Sequence, residues 1–161
     1  MKKIALCVLA SLLCSGAASA EGLSISLSSD DSRTTMGPRR SAREARVAIR
    51  SRDGSTMLML LDDVIAIQLT DATLAKMESE KKEDGGFLEE LLVAGVRLAV
   101  GKSVEAPLAS VRSVEYRGGA LHITSDQNKP LFTNVKVNGT DVLRDFSSAD
   151  AARFVSAFRK R

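Results

Sequence analysis

The alternation of apolar and polar residues predicts a first group of β-strands in the N-terminal half of the chain. Val47 and Ile49 alternate with polar or small residues, and Asp53 followed by Gly54 is typical of a two-residue hairpin turn. Further strands are predicted at 56–61 and 64–69, which makes an antiparallel meander. Because apolar residues occupy both faces of 56–61, we expect both faces of this sheet to be covered.

A second group of strands is predicted after Pro107, and turn residues separate its apolar runs. Near the N-terminus, 22–27 predicts a short strand, and the polar stretch 28–44 predicts a loop. The strands of the second group are expected at 111–117, 120–124 and 130–137, and their turns at 118–119, 126–128 and 138–139.

Between the two groups, apolar residues recur every three or four positions, which predicts a helical segment at 70–101. Thr70 is placed to cap a first helix that buries Leu74 and Met77. A second helix at 87–100 has an apolar stripe wider than packing on one sheet face requires. We interpret 87–100 as a core helix, and the alternative is contact with a second copy in a homodimer or with a membrane surface.

The C-terminal segment 141–161 predicts an amphipathic helix. Ser147 precedes Asp150 by three residues, which resembles a capping box with aspartate in place of glutamate. One face of the helix is apolar, so we expect it to pack on the second group of strands. That face carries Ala151, Phe154, Val155 and Phe158.

These patterns predict an α+β fold. We expect antiparallel meanders of about 6–7 strands that form a bent sheet or partial barrel, with an inserted helical segment and a C-terminal capping helix. Residues 1–20 are predicted to be a cleaved signal peptide. Residues 21–44 form an N-terminal strand and flexible loop, and 45–161 form a single α+β domain with the helical insertion at 70–101.

The first twenty residues have the three-part layout of a secretory signal, with Lys2 and Lys3 before an apolar run and Ala20 at the expected cleavage site. The run is about ten residues long, and a bilayer-spanning helix needs about twenty. Cys7 and Cys14 both lie in this leader, each preceded by leucine, which argues against a lipoprotein. We therefore expect a periplasmic or extracellular protein.

No reaction centre is evident in the sequence. After the leader the chain has no cysteine, which excludes disulfides and thiol catalysis, and its single histidine, His122, is predicted to point outward from a strand. The adjacent acids at 62–63 and 89–90 do not converge. We assign no catalytic residue, no metal ligand and no cofactor, and we favour a protein that is not an enzyme.

The formal net charge of +3 includes Lys2 and Lys3 of the leader, so the remaining chain is nearly neutral and nucleic-acid binding is not expected. Arginine is nevertheless concentrated in 33–52 and acidic residues in 62–90. The two stretches face each other within the fold, are simply solvated, or mark an anionic partner. The candidate basic surface comprises Arg39, Arg40, Arg43, Arg46 and Arg50, and anionic lipid or an acidic envelope protein would suit it.

The runs "SVRSVEYRGGALHITSD" and "NVKVNGTDVLRDFSSADAARFVSAF" resemble the strands and closing helix of the pleckstrin-homology-like superfold. The chain is also similar to an uncharacterised family of exported, periplasmic bacterial proteins. The resemblance implies binding of phospholipid head groups or peptides rather than catalysis.

Three functional hypotheses follow. The first is an exported, non-catalytic binding module of the bacterial periplasm or cell envelope. The second is a small secreted hydrolase or a hydrolase inhibitor that offers the loop 28–44 to its target. The third is a structural protein that self-associates through 87–100.

Overall fold

The computed structural model of the chain describes residues 25–26, 33–83, 101–133, 135–137 and 140–161. The predicted leader, the second predicted helix at 87–100, and the turn residues Asn138 and Gly139 lie outside this part. In chain order the elements are β1 (Ile25–Ser26), β2 (Thr35–Pro38), β3 (Val47–Arg50), β4 (Thr56–Leu60), β5 (Val64–Leu69), α1 (Asp71–Glu83), β6 (Lys102–Pro107), β7 (Val111–Arg117), β8 (Ala120–Ser125), β9 (Lys136–Val137), β10 (Thr140–Asp141) and α2 (Ser148–Arg159).

The described part is an α+β structure of antiparallel strands and two helices. Its strands are divided among a five-stranded sheet, the β7–β8 hairpin and a small sheet that pairs β9 with β1 and β10. The five-stranded sheet has the order β2-β6-β5-β4-β3. The α+β class is therefore confirmed, but the strands do not form one sheet of six or seven.

The meander β3–β4–β5 forms as its alternation predicts. The turn at Asp62 and Asp63 is tight, with the Leu61 backbone N–H donating to the Val64 carbonyl at 2.9 Å. The first turn is wider than predicted, because residues 51–55 separate β3 from β4, and the Ser51 backbone N–H donates to the Thr56 carbonyl at 3.0 Å. Every residue of β4 and β5 is buried, as expected for a sheet covered on both faces.

Two strands of the large sheet lie where no strand was predicted. Residues Thr35–Pro38 pair with Lys102–Pro107, which places β2 at the sheet edge inside the predicted loop 28–44. Neither segment has the apolar alternation of a half-buried strand, and each contains a proline. Proline is tolerated at an edge or a strand end, where its missing N–H removes no ladder bond.

The β7–β8 hairpin has the predicted turn at Gly118 and Gly119, where φ is +57° and +75°. The predicted strand 130–137 is mostly not formed. Phe132 has a φ of +61°, which interrupts the extended backbone between a single bridge from Pro130 to Thr124 of β8 and the short strand β9. The aromatic side chain is nonetheless buried in the core.

The C-terminal helix α2 begins as predicted. The Ser147 hydroxyl accepts a hydrogen bond from the Asp150 backbone N–H at 3.1 Å and donates to its carboxylate at 2.7 Å. The helix packs against β3, β4 and β7, so it bridges the large sheet and the hairpin. Phe154 is fully buried, and Phe146 just before the helix is equally buried. These residues join the inner faces of both sheets in one hydrophobic core.

Arg161 fixes the far end of α2. Its guanidinium donates to the backbone carbonyls of Leu108 and Val111 at 3.0 Å each, and it stacks over the Phe158 ring at 3.9 Å.

At the other end of the large sheet, Thr70 caps α1 by accepting a hydrogen bond from the Thr73 backbone N–H, as predicted. Leu74 and Met77 of α1 pack against the core.

Truncation of Phe154 tests the packing of α2. Replacing Phe154 with alanine should lower the free energy of unfolding by about 3–5 kcal/mol, since it leaves a cavity where a fully buried ring stood. Ser156→Ala on the exposed face of the same helix is the control, with an expected change below about 0.5 kcal/mol. Equal urea midpoints for the two variants would contradict this placement of the helix.

Candidate functional site

Two arginines of the predicted basic surface form ion pairs with the acidic stretch. Arg39 contacts the Asp71 carboxylate at the start of α1 and donates to the Leu69 carbonyl at 2.8 Å. Arg46 lies 2.6 Å from the carboxylate of Asp62. The basic and acidic stretches therefore face each other in part within the fold, which was one of the three interpretations of this charge pattern.

Arg40 is held more firmly than its neighbours. Its guanidinium donates to both carboxylate oxygens of Glu105 on β6, at 2.7 and 2.9 Å. The Arg40 backbone exchanges two hydrogen bonds with the Gln68 side chain on β5, at 2.9 and 3.0 Å. The loop after β2 is thereby attached to the outer face of the large sheet.

Gly37 of β2 has a structural role in this attachment. A Cβ at Gly37 would overlap the Glu105 carboxylate, so only glycine leaves room for the carboxylate to meet Arg40. Ser103 completes the arrangement, because its hydroxyl lies 2.7 Å from the Glu105 carboxylate and 2.7 Å from the Pro38 carbonyl. The Arg40–Glu105 pair thus joins β2, β6 and the following loop.

The remaining members of the predicted surface, Arg43 and Arg50, are exposed. Neither side chain has an ion-pair partner within the described residues. Three of the five arginines, Arg39, Arg40 and the exposed Arg46, therefore form ion pairs within the fold, whereas Arg43 and Arg50 form none with a described residue. Binding of an anionic partner by this surface remains a prediction.

Hydrogen bonds from Arg40 hold the pKa of Glu105 below its usual value, although burial opposes this effect and Ser103 assists it. The same contact raises the pKa of Arg40. Because the folded carboxyl has the lower pKa, the stabilisation is present above the unfolded pKa of about 4.3 and is lost as the pH falls through the folded value.

Glu105→Gln should lower the free energy of unfolding at pH 7 by about 1–3 kcal/mol, because it leaves the Arg40 fork without its anionic partner. The deficit relative to the parent should shrink as the pH falls below the unfolded pKa of about 4.3, because the unfolded parent then binds a proton more readily than the folded parent does. Glu115→Gln, which alters an exposed carboxylate, is the control. Urea titrations from pH 3 to 7 measure the free energy of unfolding of each variant. A difference between Glu105→Gln and the parent that does not change with pH would argue against the ion pair.

A groove between α2 and β7 is the candidate binding site. It has a volume of about 510 Å³ and is lined by three consecutive residues of the strand and by one face of the helix. The strand residues are Glu115, Tyr116 and Arg117, and the helix residues are Ala152, Val155, Ser156 and Arg159. The size lies within the range of ordinary ligand sites.

The groove runs along an unpaired strand edge. Within the described residues, β7 pairs with β8 alone. Arg117 lies opposite Ala120 across a two-residue turn, so these two residues form a hydrogen-bonded pair. Hydrogen-bonded pairs alternate with non-hydrogen-bonded pairs along an antiparallel ladder, so the backbone of Glu115 also hydrogen-bonds to β8, whereas that of Tyr116 does not. The backbone N–H and C=O groups of Val114 and Tyr116 must then point away from β8, and Tyr116 itself lines the groove.

The groove has an excess of positive charge. Arg117 and Arg159 are exposed, and neither has an ion-pair partner within the described part of the chain. Glu115 is the single acidic residue among the lining residues. Sequence reasoning missed this site, because β7 and α2 are separate in the chain and nothing in either segment indicates that a groove lies between them.

The structure also brings together two carboxylates that sequence reasoning did not pair. The Asp53 backbone N–H donates to the Asp145 carboxylate at 3.3 Å, although the residues are 92 positions apart. Burial works against the charge of Asp53, but hydrogen bonds from Ser51 and Ser55 hold its pKa below the usual value. Burial raises the pKa of Asp145, and the charge of Asp53 adds to this effect. These contacts tie the β3–β4 turn to the start of α2.

His122 is half-buried, and its Nε2 atom lies 3.3 Å from the Arg117 carbonyl. Within the described ranges, no three histidine, cysteine, aspartate or glutamate side chains are grouped so that they could hold a metal ion. The helices described here are too short or too polar to cross a bilayer. Comparison of the chain with protein-family models, curated proteins and solved structures gave no match.

Proposed function

We propose that this chain is an exported, non-catalytic binding module of the bacterial periplasm or cell envelope, and that its ligand occupies the groove between β7 and α2. The observation that carries the proposal is the combination in one place of an unpaired strand edge and an accessible helix face. A strand edge offers regularly spaced hydrogen-bonding groups, and a flanking helix limits which ligands fit beside it.

The order of elements supports a pleckstrin-homology-like arrangement as part of this proposal. The strands β3, β4, β5 and β6 form an antiparallel run in sequence order, the β7–β8 hairpin follows, and α2 closes the core between them. In this interpretation the two sheets are the halves of a bent sheet. The segment 70–101 is then an insertion between the third and fourth strands of the run.

The basic surface supports a second candidate function, which is attachment to anionic lipid through Arg43 and Arg50. These two exposed arginines favour it, whereas Arg39, Arg40 and Arg46 already contact acidic residues. Two free charges give weak attraction at physiological ionic strength, so we rank the groove first. The hydrolase, inhibitor and self-association hypotheses gain no support from a described contact.

Ala152→Trp tests the groove as the binding site. Ala152 is exposed on α2 and lines the groove, so an indole at this position should fill the groove without disturbing the buried face of the helix. Gln127→Trp, at the other end of the β7–β8 hairpin, is the matched control. We expect purified parent and control proteins to retain the same component of native envelope extract, and the Ala152→Trp protein to lose it.

Both variants should first show the parent's melting temperature, since each adds a side chain to an exposed position. Retention of the same component by the Ala152→Trp protein would rule out the groove as its site. Co-sedimentation with anionic vesicles that is abolished by the Arg43→Gln, Arg50→Gln double variant would instead favour the lipid function.

A further inference from the structure

The chemistry of the groove identifies the class of its ligand. We infer that the ligand is an extended peptide segment with acidic side chains, which adds as a strand to the free edge of β7. This inference rests on the proposed function, because it assigns a ligand to the same groove.

The backbone of β7 supports an extended peptide. Val114 and Tyr116 present their N–H and C=O groups to the side opposite β8, where no strand of the described part pairs with them. Such a row of donors and acceptors matches the backbone of an added strand, which supplies affinity largely independent of sequence. A compact head group would satisfy these alternating donors and acceptors less completely.

The helix side of the groove leaves space for a backbone beside β7. Ala152 and Ser156, which lie one turn apart on α2, are small, so the helix does not fill the space next to the strand. Val155 lies between them and is almost fully buried, at 8% exposure, so it forms an apolar floor. Tyr116 is half-buried against the core and supplies apolar surface from the strand side.

Charge complementarity favours acidic side chains on the peptide. Arg117 and Arg159 line the groove from its two sides, and only Glu115 opposes them. An acidic residue on an added strand would pair with one of these guanidinium groups and gain charge-assisted hydrogen bonds. A second copy of this chain would bring the same two arginines against their counterparts, so symmetric pairing of two grooves is disfavoured by like-charge repulsion.

The test uses a fluorescein-labelled decapeptide of alternating valine and glutamate as the probe, and fluorescence anisotropy at low salt as the readout. We expect saturable binding to the full exported chain, and much weaker binding of the same peptide with lysine in place of glutamate. Arg117→Gln and Arg159→Gln should each weaken binding of the glutamate peptide by about three- to tenfold. Arg144→Gln, an exposed arginine outside the groove, should leave it unchanged.

N-methylation of the peptide separates strand addition from simple charge attraction. In an added strand only alternate residues direct their N–H groups toward β7. One peptide is therefore N-methylated at its valines and another at its glutamates. We expect one of the two to lose binding by about tenfold or more and the other to bind much as the parent peptide does, because each lost backbone bond weakens association several-fold.

Three results would overturn the inference: no binding of the glutamate peptide, equal binding of both N-methylated peptides, or full binding to the Ala152→Trp protein. These failures are distinguishable from failure of the proposed function. If the Ala152→Trp protein loses the envelope component while the peptide results are negative, the groove is the site but its ligand is not an acidic strand. If the Ala152→Trp protein keeps that component, the groove itself is excluded.

Discussion

The structure depends on the burial of one helix face in the gap between two β layers. Phe146, Phe154 and Phe158 fill the space that the large sheet and the β7–β8 hairpin leave between them. Each ring removes apolar surface from water, and burial of a phenylalanine contributes about 2–3 kcal/mol. The side chains of α2 close this gap, and the helix forms no backbone hydrogen-bond ladder with β7. The core is therefore covered while the outer edge of β7 stays unpaired within the described residues. The groove follows from this way of closing the core.

The need to cover apolar sheet faces also explains where the charged residues lie. The large sheet is apolar on both faces, so its outer face needs cover as well as its inner face. The loop after β2 supplies part of this cover, and Ala45 packs on the methionines of β4. Three ion pairs attach this loop to the rest of the fold: Arg39 with Asp71, Arg40 with Glu105, and Arg46 with Asp62. The ion pairs of Arg39, Arg40 and Arg46 therefore stabilise the fold. Arg117 and Arg159 form no ion pair within the described part of the chain.

The sequence predicted those elements whose structure depends mainly on residues close together in the chain. The alternation around Val47 and Ile49, the paired glycines at 118–119 and the cap at Ser147 all specify structure through near neighbours, and each appears as predicted. The strands β2 and β6 were missed because their pairing depends on contacts such as Gly37 against Glu105, 68 positions away, which no local pattern encodes. The predicted strand after Pro130 failed because Phe132 turns into the core. The groove could not be predicted, since it arises only when β7 and α2 are brought together.

The central claim is that α2 seals the core while the outer edge of β7 stays open. Amide hydrogen exchange along β7 in the unliganded protein, followed by NMR, tests it most directly. We expect the amides of Ser113, Glu115 and Arg117, which bond to β8, to exchange slowly, and those of Val114 and Tyr116 to exchange markedly faster in the middle of the same strand. Uniform protection along the strand would mean that the outer edge is already paired, and the account would be wrong.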